Sequence, residues 1–157
     1  MSPKTMMICA TLMMGTCFAG ATAFSASSLI ELSLSPNKTA IKSGELLSIK
    51  LVIKDISNKV VHVNQVYTKY KFSIIDDGGR EPQKTQTAQQ SENLRDSGNI
   101  AMSPRQLQPN AVFSEDIALS NLYDLTHPGT YTLYIEGNAV GNPVRVRSNT
   151  ISIIVTP

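Results

Sequence analysis

Asn121-Leu122-Tyr123-Asp124-Leu125-Thr126-His127-Pro128-Gly129-Thr130-Tyr131 is a polar turn that runs directly into Tyr131-Thr132-Leu133-Tyr134-Ile135-Glu136. In the second segment Tyr131, Leu133 and Ile135 fall on alternate positions, the period of a strand with one buried face. A tyrosine that enters a strand straight after a Pro-Gly turn can fold its ring back over that turn and hydrogen-bond the backbone just left behind. Tyr123 is a second candidate for this corner. Tyr131 is better placed, because the strand begins at it.

The same period recurs on both sides. Upstream, Ile30, Leu32 and Leu34 alternate with Glu31, Ser33 and Ser35 until Pro36. After the turn signal Ile41-Lys42-Ser43-Gly44-Glu45, Leu47, Ile49, Leu51 and Ile53 alternate with Ser48, Lys50, Val52 and Lys54. On a helix those four apolar residues would point to all sides, so this segment reads as a strand. Val60 to Val66 is rich in β-branched residues, and Tyr70, Phe72 and Ile74 form one face of a further strand opposite Lys69, Lys71 and Ser73. Asp76-Asp77-Gly78-Gly79 follows as a hairpin-type turn, and Arg80 to Thr87, with its charges and Pro82, is expected to return as an edge strand. Downstream, Val112 to Leu119 and Val144 to Val155 complete the set. In the last of these the apolar phase changes from Val144 and Val146 to Ile151, Ile153 and Val155, which predicts a bulge or break near Ser148-Asn149.

No segment shows a convincing helical repeat. Ala88 to Asn110, rich in Gln, Ser and Asn, is read as one long connection, and connections of that length in a compact domain are usually functional or disordered. About seven to eight short strands with regular turn signals describe an all-β fold, an antiparallel immunoglobulin-like β-sandwich.

The first residues stand apart from this pattern. Lys4 precedes an apolar run from Met6 to Phe18, and Ala21-Thr22-Ala23 offers small residues where a signal peptidase needs them. Residues 1–23 are therefore expected to be a cleaved signal peptide, with an uncleaved anchor as the alternative, and 24–157 a single domain, exported to a periplasm or secreted, with a bacterial source favoured. Both cysteines, Cys9 and Cys17, lie in the leader, so the processed chain would carry no disulfide, thiol nucleophile or thiolate metal site. The chain has 14 Lys and Arg against 12 Asp and Glu, and loss of Lys4 lowers its net charge from +2 to +1. That balance argues against a nucleic-acid partner and against an anionic membrane surface, and no stable membrane insertion is expected after cleavage.

Four motifs carry a resemblance to a known family. They are a "LxLSP" opening (Leu32 to Pro36), a "SGExLxIxLxI" strand (Ser43 to Ile53), a strand with its turn (Tyr70 to Gly78), and Leu119 to Tyr131. Together they resemble the immunoglobulin-like accessory domain of deuterolysin-type or peptidyl-Lys metalloendopeptidases, over nearly the whole processed chain. The catalytic part of those proteases is missing, since no His-Glu-x-x-His occurs. The resemblance implies a sandwich and an accessory role and transfers no catalytic residue. A similar sandwich is seen in a bacterial intracellular proteinase inhibitor, from which the leader departs.

The chemistry-bearing residues read mostly as structural. His62 reads as an outward strand residue and His127 precedes Pro128 in a turn, too few for zinc. Asp76-Asp77-Gly78-Gly79 lacks the later ligands of a calcium loop. No cofactor or metal is expected. Ser120, Asp124 and His127 offer the parts of a hydrolase triad without a strained nucleophile setting, so a weak hydrolase is the least favoured reading. Lys50, Lys54, Lys69 and Lys71 would form a basic stripe only if their strands were neighbours. The reading preferred is a non-catalytic binding or accessory domain for a protein or peptide. Such a domain would recognise its partner through loops at one end of the sandwich together with the long connection, whose candidate contacts are Glu92, Asn93, Leu94, Arg95, Asp96, Asn99, Met102 and Arg105. A protease inhibitor or regulator acting in trans is the alternative, with a protease as the partner.

Overall fold

The computed structural model describes residues 27–64, 70–96 and 103–157. The expected leader, 1–23, lies outside them, and among the described residues no helix is long and apolar enough to cross a membrane. The strands are β1 (Ile30–Pro36), β2 (Ala40–Lys42), β3 (Ser48–Asp55), β4 (Val61–Val63) and β5 (Lys71–Ile75), then β6 (Arg105–Leu107), β7 (Val112–Ala118), β8 (Gly129–Gly137), β9 (Val146–Arg147) and β10 (Ile151–Thr156). One sheet has the order β1-β3-β7, the other β2-β10-β8-β5 with β9 beside β8, and β4 pairs with β6. This is an immunoglobulin-like sandwich: the first, second and fifth strands of that fold share one sheet, the third, sixth and seventh the other.

Alternation produces this arrangement. Leu47, Ile49, Leu51 and Ile53 are wholly buried, and Leu133, Ile135 and Ile153 of the facing sheet meet them in a single core. The wet face of β3 is matched by charge: Lys54 stands opposite Glu31 on β1 and Lys50 opposite Asp116 on β7. Lys71 belongs to the other sheet and Lys69 lies outside the described residues, so the strands of the supposed basic stripe are not neighbours.

Two corners set the shape. Tyr131, at the start of β8, donates its hydroxyl to the His127 carbonyl at 2.9 Å, as expected of the corner tyrosine. In the last strand Leu133 faces Ile151 while Glu136 faces Arg147, so Tyr134 and Ile135 stand against Ser148, Asn149 and Thr150. The extra residue is the bulge that the phase change predicts. It turns the Asn149 amide towards β1, where its Oδ1 accepts from the Leu34 N–H at 2.7 Å and its Nδ2 donates to the Leu34 carbonyl at 3.0 Å. A side chain thus takes the place of a neighbouring strand.

Three expectations fail. The segment expected as turn from Ile41 contains β2, which pairs in parallel with β10, so the chain changes sheets between Pro36 and Ala40. Arg80 to Thr87 is not an edge strand, since its one strand-like contact is an isolated bridge between Lys84 and Tyr123. Nor is the following region one long irregular connection, because Gln86–Asp96 is an α-helix, α1. Thr85 caps it, accepting from the Ala88 N–H at 3.2 Å. The run from Gln86 to Asp96 contains no Gly or Pro and consists largely of good helix formers. Among its described side chains, Gln86 to Asn93, Ala88 is the one in the buried set, and the segment shows no apolar period to read.

Candidate binding site

Residues Gln83 to Thr85 are tied to the segment that follows β7. The Asp124 N–H donates to the Gln83 carbonyl at 2.8 Å, the Thr85 N–H to the Leu122 carbonyl at 3.0 Å, and the Thr85 hydroxyl to the Asn121 carbonyl. Helix α1 therefore starts from a fixed point on the sandwich. Lys84 then reaches forward along it, its Nζ 2.8 and 3.1 Å from the two carboxylate oxygens of Glu92.

Two open clefts flank this anchor. One, of about 530 Å³, is lined by Glu45, Leu46, Gln86, Gln89, Ser120 and Asp124 among others. The second, of about 600 Å³, lies between α1 and β5 and is lined by Tyr70, Phe72, Ile74, Ala88, Ser91 and Leu122, with Glu81 and Glu92. Lys84 and Tyr123 line both. Burial pushes the Tyr123 hydroxyl up to about 12, with the carboxylates of Glu81 and Glu92 adding to it. The Tyr70 hydroxyl is likewise pushed up to about 12 by burial, and it has no hydrogen-bond partner among the described residues. A cleft of this size with apolar walls and a few polar groups suits a small ligand or a short segment of chain.

The residues expected to bind divide between several places. Glu92 lines the second cleft and is ion-paired, and Asn93 is exposed on α1. Leu94, Arg95 and Asp96 form the last turn of the helix. Arg105 is on β6, its guanidinium 4.2 Å from the centre of the Phe113 ring. Asn99 and Met102 lie outside the described residues. Reading the sequence missed Lys84, Ala88, Ser91 and the apolar wall from Tyr70 to Ile74. The available signal was Thr85 followed by a run without Gly or Pro and rich in helix formers, which marks a helix start there.

Ser120, Asp124 and His127 are each engaged elsewhere. Ser120 Oγ accepts from the Leu47 N–H at 2.7 Å. Asp124 Oδ1 accepts from the hydroxyl and N–H of Thr126 at 2.6 and 3.0 Å, and these bonds hold its carboxyl below the usual range. His127 offers its carbonyl to Tyr131. No hydrogen bond joins the three side chains among the described residues, nor does any group of three or more His, Cys, Asp or Glu there suit a metal ion.

No family model matches the chain, and no curated protein does. Among solved structures it is similar to the CARDB domain of a Pyrococcus furiosus protein at 9% identity and a TM-score of 0.43, covering 81% of this chain and 87% of that one. It is similar to the bacterial hydrophobin BslA at 15% identity and 0.43, over 84% and 98% of the two chains. The alkylpurine DNA glycosylase AlkC of Pseudomonas fluorescens gives 10% and 0.46, over 83% of this chain and 31% of that one. Likeness this faint says nothing of ligand or partner. The resemblance to protease accessory domains therefore holds at the level of the immunoglobulin-like sandwich and no further.

Proposed function

We propose that this protein is an exported, non-catalytic binding domain that recognises a protein or peptide on the face bearing α1. One observation carries the reading: a helix whose described side chains, Gln86 to Asn93, put only Ala88 into the buried set is pinned to the sandwich so that a cleft opens on each side of its anchor. A helix whose described side chains add so little to the core is better explained by what it presents outward. The apolar leader ending in Ala21-Thr22-Ala23 supports export.

The test is site-specific photocrosslinking in the producing cell. A photoreactive residue at position 91, in the cleft, should give a discrete adduct, and the same residue at position 33, on the wet face of β1, should not. Identical adducts from both positions, or none from either, would overturn the reading. A protease in the adduct would specify regulation of that protease as the role.

A further inference from the structure

The cleft between α1 and β5 is also the place where, among the described residues, no strand pairs with the outer side of β5. Ile135 directs its backbone towards β9 and β10: its carbonyl accepts from the Ser148 N–H at 2.9 Å and its N–H donates to Ser148 Oγ at 3.0 Å. Antiparallel pairing alternates, so Thr132, Tyr134 and Glu136 turn their backbones the other way, to Ile75, Ser73 and Lys71 of β5. Phe72 and Ile74 consequently present N–H and C=O to the free side. The parity is checked by Asp76, which donates on that side to the Arg80 carbonyl at 2.8 Å.

The other edges are defended. The Leu34 position of β1 is occupied by the Asn149 amide. β2 is three residues long, as are both strands of the β4–β6 pair. β7 carries Glu115 opposite the buried Leu51, on the inner face, where a docking strand would have to bury its charge. Within β5, Lys71 at one end, facing Glu136, is the single charged residue, and there is neither Pro nor bulge.

We propose that the occupant of this cleft is an extended segment of a partner protein, added as a further strand to the free edge of β5. The inference rests on the binding role proposed above and specifies its mode. Main-chain bonds to Phe72 and Ile74 supply affinity, and alternate side chains supply selectivity. Residues turned inward meet Phe72, Ala88, Leu122 and Tyr123 and are apolar; those turned outward lie beside Lys71 and Ser73 and are polar. Glu92 is neutralised by Lys84, whereas Glu81 makes no ion pair among the described residues, so the segment carries a basic residue. A second copy of this chain fits less well, because its own β5 edge brings its own helix into the same space.

The test selects a displayed library of random seven-residue peptides on the protein and counter-selects it on Ser91→Trp, which fills the cleft from the helix side. Selected peptides should alternate apolar and polar residues. At about ten times their Kd they should slow amide exchange at Phe72 and Ile74 about tenfold, and backbone N-methylation at alternate positions should abolish binding. Peptides that compete at the cleft yet leave those amides unprotected, or bind equally well when N-methylated, would overturn strand addition while leaving the binding role intact. Failure to recover any peptide sensitive to Ser91→Trp would overturn both.

Discussion

Gly137 lies at the end of β8, one residue beyond the Glu136 that faces Lys71, and the ring of Tyr70 covers it. A Cβ at this position would sit 2.0 Å from Tyr70 Cδ1 and 2.2 Å from Cε1. Carbon atoms rest about 3.5–4.0 Å apart, so the ring would have to move by more than an ångström. Tyr70 is only 3% exposed and packs in the core cluster. Two effects of opposite sign compete in Gly137→Ala. Restricting the unfolded chain favours alanine by about 0.4–1 kcal/mol, and overpacking disfavours it by about 1–3 kcal/mol. The overlap falls on a buried ring rather than on a flexible tip, so the second effect wins and a net loss of about 1–2 kcal/mol is expected. Urea unfolding followed by fluorescence reads this as a lower midpoint with an unchanged slope. Tyr70→Ala in the same background removes the obstacle, so the double-mutant cycle should show coupling of about 1 kcal/mol or more. A Gly137→Ala protein as stable as the parent, or an additive cycle, would refute the placement of Tyr70 over the strand.

Two tyrosine hydroxyls should behave oppositely. Tyr131→Phe loses the bond to the His127 carbonyl and about 1 kcal/mol of stability, whereas Tyr70→Phe removes a buried hydroxyl with no partner among the described residues and should be neutral or stabilising. A larger loss at Tyr70 than at Tyr131 in thermal unfolding would contradict this. Asn149→Ala uncovers the Leu34 edge and should cost about 1–2 kcal/mol in urea, with increased aggregation of the folded protein by light scattering. Because Tyr70 and Tyr123 are held near 12, above the ordinary 10.0, their contribution is intact below about pH 10 and is lost as pH rises through 12. Absorbance at high pH should show these two ionising late, together with unfolding. Cleavage after Ala23 predicts a processed protein that begins at Phe24 by N-terminal sequencing, and a chain that retains Lys4 would contradict it.

What could be read from the sequence was whatever the core dictates. Leu47 to Ile53, Tyr131 to Ile135 and the phase change at Ser148-Asn149 all follow from which side chains must leave water, and each was in place in the structure. The corner at Tyr131 was legible for the same reason, since a Pro-Gly turn leaves the ring one way to fold. Helix α1 was not, because it starts from a cap at Thr85 and from bonds of Gln83 and Thr85 to Asn121–Asp124, and Ala88 is the one buried residue among its described side chains. β2 escaped because three residues are too few to show alternation, and its parallel pairing with β10 depends on a partner more than a hundred residues away. The cleft was partly visible: Glu92, expected as a contact, lines it, while its wall from Tyr70 to Ile74 was read only as core. An edge is a property of which strand is absent beside it, and alternation along one strand does not record that.

The central claim, that β5 offers an open edge beneath α1, is tested most directly by amide hydrogen exchange along that strand in the free protein. Phe72 and Ile74 should exchange fast while Ser73, bonded to β8, is strongly protected. Uniform protection across Phe72, Ser73 and Ile74 would mean that the edge is already covered by the chain itself, and strand addition there would be ruled out.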